Sequence, residues 1–142
     1  WGHFLFGIVW IGLLYYFNFV QTEYFKEAEA DHRAGAIQKL VPRALWWFRW
    51  GAAFTFLTGL VLLHQISAAL SYDIVVGAAL GTLMAINVWF VIWPNQKKAL
   101  GIVEASADEK AVSARTAMLF SRTNTLLSVP MLFAMVSAQN IY

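Results

Sequence analysis

The 142-residue chain contains no cysteine. Disulfides, thiolate metal sites, iron–sulfur clusters and covalent c-type haem attachment are therefore excluded within it. Charge is also scarce. Asp, Glu, Lys and Arg make up 13% of the residues, against about 25% in a soluble domain. There is no serine triad, phosphate loop, pair of intramembrane carboxylates or carboxylate-rich metal motif. These shortages argue against a soluble enzyme, a nucleic-acid reader and a disordered tail. Apolar residues are abundant instead: 60% of the chain is hydrophobic and 16% aromatic, with a mean hydropathy of +0.59. The net charge of +2 points to an anionic partner only where charge gathers on a water-facing surface. The composition is that of a membrane protein.

A spanning helix needs about 20 mostly apolar residues. Four segments qualify, at about 4–20, 46–63, 74–93 and 117–136. Strands left open in lipid would leave backbone groups unpaired, so helices are expected. The expected fold is all-α: a single polytopic membrane domain over 1–142, with four transmembrane helices in an antiparallel bundle. The stretch from about 24 to 45 alternates apolar and charged residues at helical spacing, which predicts an interfacial helix on anionic lipid, broken by Pro42. Pro94 is expected to end the third span, ahead of Asn95, Gln96, Lys97 and Lys98.

The basic residues orient these spans. Lys26, Arg33, Lys39, Arg43 and Arg49 lie around the first connection, and Lys97, Lys98, Lys110, Arg115 and Arg122 around the third. The connection from Gln65 to Asp73 has no Lys or Arg. Positive residues stay on the cytoplasmic side. A multi-pass protein of the bacterial inner membrane is expected, with both termini on the periplasmic side.

Polar residues within spans mark sites. Asn18, Arg49, Asn87, Ser121, Arg122 and Asn124 fall at similar depth in the cytoplasmic half, where a shared polar cluster is geometrically allowed and no Asp or Glu is at hand. Its two arginines would suit a planar anion or a haem propionate, or they would snorkel to lipid phosphate. His3 and His64 fall at the opposite side, where facing helices can hold haem b or copper. Gly77, Gly81 and Ala85 form a small-residue row suited to helix packing. Trp46, Trp47, Trp50, Trp89 and Trp93 form an aromatic belt.

Two stretches carry a likeness. Gly77 to Lys98 contains Asn87-Val88-Trp89-Phe90-Val91-Ile92-Trp93-Pro94-Asn95-Gln96-Lys97, and Ser121 to Met135 contains Ser121-Arg122-Thr123-Asn124 and Pro130. With His3, Gly7, Trp10, Gly12 and Trp47-Phe48-Arg49-Trp50, they resemble the membrane domain of the bacterial urate oxidase N-terminal family. The likeness is to a short member without the cytochrome c tail of the long ones. It implies His3, Asn87, Pro94, Asn95, Gln96, Ser121, Asn124 and Pro130 as shared positions.

The expected role is an accessory or structural subunit of a larger respiratory or oxidase-type membrane complex, with the lipid bilayer and other membrane subunits as partners and no nucleic acid. No catalytic set identifies an enzyme. The alternative is a haem-binding redox membrane protein related to urate oxidase membrane domains.

Overall fold

The computed structural model describes residues 1–65 and 70–140, apart from the side chain of residue 139. Its regular structure is four long helices, with no strand among the described residues. We label them α1 (Gly2–Glu27), α2 (Ala30–Gln65), α3 (Tyr72–Ala99) and α4 (Ala107–Asn140). All four are long and apolar enough to cross a membrane.

The helix ends follow from local chemistry. Between α1 and α2 the chain turns at Ala28 and Glu29, both extended. Helix α3 starts at Ser71, whose hydroxyl accepts from the Ile74 amide at 3.3 Å. It stops in a Schellman turn: Gly101, at φ +74°, lets its amide reach the Lys98 carbonyl at 3.1 Å and the Ile102 amide reach Lys97 at 2.9 Å. A capping box opens α4. The Ser106 amide donates to Glu109 Oε2 at 2.9 Å, and the Glu109 amide donates to Ser106 Oγ at 3.2 Å.

The sequence led us to expect Pro42 to break a helix and Pro94 to end one. Neither does. α2 runs through Pro42 and α3 through Pro94. Wide turns of π geometry occupy Ala36–Leu40 and Asn87–Ile92. Each proline follows such a turn and falls in the first turn of the α segment after it, where a missing N–H is tolerated. A third wide turn, Tyr16–Gln21, lies in α1.

α1 packs mainly along α2, and α3 along α4, with fewer contacts joining α1 to α4 and α2 to α3. Both close pairs are antiparallel. His3 at the start of α1 reaches Thr55 and Thr58 far along α2. Asp73 at the start of α3 accepts a hydrogen bond from Ser137 near the end of α4. The shared core takes Trp10 and Leu14 from α1, Leu45 and Phe48 from α2, Met84, Val88 and Ile92 from α3, and Ala117 and Met131 from α4. Much of the outward surface is apolar, with Phe4, Phe19, Leu57, Phe90, Leu126 and Phe133 exposed. That suits lipid better than water.

Candidate functional site

Helix α4 supplies the polar centre of the molecule. Its buried positions Ser113, Ala117, Asn124, Ser128, Met131, Ala134 and Ser137 recur at helical spacing, so they form one inward stripe. Asn124 and Ser128 are fully buried. Each needs a partner, because an unsatisfied polar group in an apolar interior costs about 1–3 kcal/mol.

The partners come from two neighbours. Towards α3, the Asn87 Nδ2 amide donates to Asn124 Oδ1 at 2.9 Å, and Asn124 Nδ2 donates to the Met84 carbonyl at 3.0 Å. Towards α1, Asn18 Nδ2 donates to Ser121 Oγ at 2.8 Å and to the Leu14 carbonyl at 2.9 Å. The hydroxyls of Tyr15 and Ser128 lie 2.8 Å apart. The four amides and hydroxyls Asn18, Ser121, Asn87 and Asn124 thus form two crossing pairs, both anchored on α4. In apolar surroundings each such bond contributes about 0.6 kcal/mol on average, and up to about 1.7.

The two arginines stand apart from these pairs. The Arg49 guanidinium lies over the Trp93 ring, 3.4 Å from its centroid, linking α2 to α3. Lys97 sits 5.6 Å from the same centroid. Arg122 is exposed on the outer side of α4 and has no hydrogen-bond or ion-pair partner among the described residues. It is turned by about 160° from Asn124, since two residues of α-helix advance by about 200°. The two guanidinium groups share no partner among the described residues.

At the other end, His3 Nδ1 lies 2.9 Å from the Thr55 carbonyl and 3.3 Å from Thr58 Oγ1. Donation to that carbonyl places the proton on Nδ1 and leaves Nε2 as the basic nitrogen. The ring also presses on Gly59, where a Cβ would come within 3.1 Å of His3 Cε1. His64 is exposed. It lies about 7.5 Å further along the axis than Gly59 and is turned by about 140° from it. The structure thus holds His3 against Thr55 and Thr58 and leaves His64 exposed on another side of α2. Among the described residues no group of three or more His, Asp or Glu could hold a metal ion.

The small-residue row lies at the α3–α4 contact. A Cβ at Gly77 would sit 3.1 Å from Met135 Cγ, one at Gly81 would sit 4.0 Å from Met131 Cγ, and Ala85 is buried. A second row, Gly51, Thr55 and Gly59 on α2, escaped the sequence reading although it repeats the same four-residue spacing. There the helices come closer: a Cβ on Gly51 would lie 3.2 Å from the backbone nitrogen of Trp10. Tyr15, Ser128, Asp73 and Ser137 were missed as well. Ser128 was within reach of sequence reasoning, because Ser121, Asn124 and Ser128 are spaced to share a helix face.

With this geometry in place, a family model described as urate oxidase N-terminal matches residues 64–141. The matched stretch holds the whole α3–α4 pair. No curated protein and no solved structure matches the chain.

Proposed function

The chain belongs to the urate oxidase N-terminal family, and on that premise we propose that it is a structural subunit of a larger oxidase-type membrane complex. Its four helices form one membrane domain, an antiparallel bundle in the bacterial inner membrane with both termini on the periplasmic side. Helix length and apolarity support insertion, and the confinement of Lys and Arg to the first and third connections supports the orientation. A cysteine replacing Ser71 should react with an impermeant reagent from outside, and one replacing Ser106 should not. The reverse pattern would overturn the topology.

Arg122 carries the subunit reading. Asn124, Ser128 and Ser137 of the α4 stripe are engaged inside the chain, whereas Arg122 points outward with no acid beside it. A guanidinium at that depth is costly unless lipid phosphate or a neighbouring subunit's acid meets it. The intended partner is a protein acid. In mild detergent the protein should run in an assembly much larger than its own mass, and Arg122→Gln should release it with helix content unchanged. An Arg122→Gln protein that assembles like the parent would assign Arg122 to lipid and remove this support.

The family's name raises two other chemistries. Urate is a planar anion near neutrality, and a site pairing both guanidinium groups finds no support in this geometry, since Arg49 lies over Trp93 and Arg122 is exposed on α4. Haem binding has one observation in its favour, the free Nε2 of His3, held by a carbonyl bond of the kind that orients metal-ligating histidines. A purified protein with no Soret band is the expected outcome. A band lost in His3→Ala would restore the haem reading.

A further inference from the structure

Helices α2 and α3 differ from the other two in charge. Beyond Asp31, α2 carries Arg33, Lys39, Arg43 and Arg49 and no acid. Beyond Asp73, at its far end, α3 carries Lys97 and Lys98 and no acid. The only ion pair among the described residues, Lys26 with Glu23, is on α1. Positive charge on these two helices therefore gathers without a carboxylate to meet it.

Two of the cations share one ring. Arg49 Cζ lies 3.4 Å and Lys97 Nζ 5.6 Å from the Trp93 centroid. They are thus within about 9 Å of each other, a range over which like charges repel. An indole face attracts a cation but offers no lone pair, and neither side chain has an acid partner among the described residues. Both residues are half-buried, yet none of their nitrogens is sealed inside the protein. Their donors stay open to an anion from outside. Trp93 closes the apolar run of α3 and Lys97 follows one turn later, which sets the pair at the border of the apolar phase, the level of lipid headgroups. One turn deeper on α3, Trp89 meets Trp50 edge-on at 5.7 Å and joins the two helices there. A phosphodiester supplies what is missing: one negative charge and two free oxygens, which can accept from a guanidinium and an ammonium at about 2.8 Å each.

We propose that Arg49 and Lys97, set against Trp93, bind the phosphate of an anionic phospholipid in the seam between α2 and α3. A zwitterionic lipid would bring a third cation to the site and should bind less well. This goes beyond the subunit role above and does not depend on it; it rests on membrane insertion, which the cysteine labelling tests separately. The protein, purified in a neutral detergent, is titrated with phosphatidylglycerol or phosphatidylcholine, and retained lipid is counted by native mass spectrometry. Phosphatidylglycerol should be retained preferentially, and its affinity should fall about tenfold in Arg49→Gln and in Lys97→Gln, a factor that corresponds to one lost charge-assisted hydrogen bond. Arg115→Gln removes the same charge from the exposed surface of α4 and should bind like the parent. Excess inorganic phosphate should not displace the lipid. Circular dichroism checks that each variant remains helical, and Lys97→Gln alters no core residue should Arg49→Gln fail to fold. Equal retention of the two lipids by the helical parent would overturn the proposal and leave the pair to an acid of a neighbouring subunit. Parent-like affinity in the helical glutamine variants, or an equal loss in Arg115→Gln, would overturn it in favour of unlocalised attraction. Displacement by inorganic phosphate would overturn the lipid as the source and assign the site to a free anion.

Discussion

The two close helix pairs are held by different means. Along α1 and α2 the contact is made mainly by backbone proximity and rings, with the His3 bond to the Thr55 carbonyl near one end. Gly51 admits the backbone of Trp10, Gly59 admits the His3 ring, and Phe17 meets Phe48 edge-on at 5.5 Å. The Thr55 hydroxyl turns back to its own helix, donating to the Gly51 carbonyl at 2.7 Å. Along α3 and α4, methionine side chains fill the space left by glycines, and the amides of Asn87 and Asn124 bridge the gap. The first pair depends on a shape that cannot yield. The second combines a yielding apolar contact with a directional polar one. Loss of hydration does not draw helices together in lipid, so close packing and hydrogen bonds must set the register, and each pair relies mainly on one of them.

That contrast predicts an order of mutational effects. Gly51→Leu should be the most damaging, because the new side chain meets Trp10 backbone: a loss of about 3 kcal/mol is expected in detergent unfolding, the upper part of the overpacking range. Asn124→Ala should follow at about 1–3 kcal/mol, since it leaves the buried Asn87 side-chain amide without its acceptor. A double-mutant cycle between Asn87→Ala and Asn124→Ala should return a coupling of about 1 kcal/mol, and a coupling near zero would deny the bridge its role. Gly77→Ala should cost less than about 1 kcal/mol, because the atoms it meets belong to the flexible Met135 side chain. If Gly77→Ala proved worse than Gly51→Ala, the distinction between rigid and yielding contacts would fail.

The smallest effect concerns the cap of α4. The Ser106 backbone amide, then its hydroxyl, hold the exposed Glu109 carboxyl below its ordinary value of 4.5. A depressed folded value means that the cap's support is fully present above the ordinary value and is lost as pH falls through the depressed one. Amide exchange in the first turn of α4 should therefore quicken only under acid conditions, and Glu109→Gln should remove that dependence.

Much of this was legible in the sequence. The four apolar runs became four helices, and the row Gly77, Gly81 and Ala85 lies at a helix contact. The helix limits were less legible, because charged and amide residues such as Lys97 continue a helix beyond its apolar part. The prolines misled for a physical reason: a preceding wide turn absorbs the missing N–H, and no residue type announces that turn. The polar cluster was half visible. Depth along a span can be counted from sequence, so Asn18, Asn87, Ser121 and Asn124 were found together. Direction around the axis is harder to count, so Arg122 was grouped with residues that face the other way. The same ambiguity placed His64 opposite His3, although only axial level, and not facing, followed from their positions.

The wide turn Asn87–Ile92 changes what α3 can address. Asn87 and Gln96 are nine residues apart, and at about 100° per residue an unbroken α-helix would set them on opposite sides. A turn that closes on the fifth residue takes up about one extra residue, which reduces the offset to about 80°. Both amides then look into the molecule, Asn87 bonded to Asn124 and Gln96 with its oxygen buried. The irregularity works as a phase shift: it lets one rod keep two engagements on the same side that a regular helical period would divide. Removing a single residue from that turn would let it close as an ordinary α turn and leave Gln96 on the side it already faces, at an offset of about 80°.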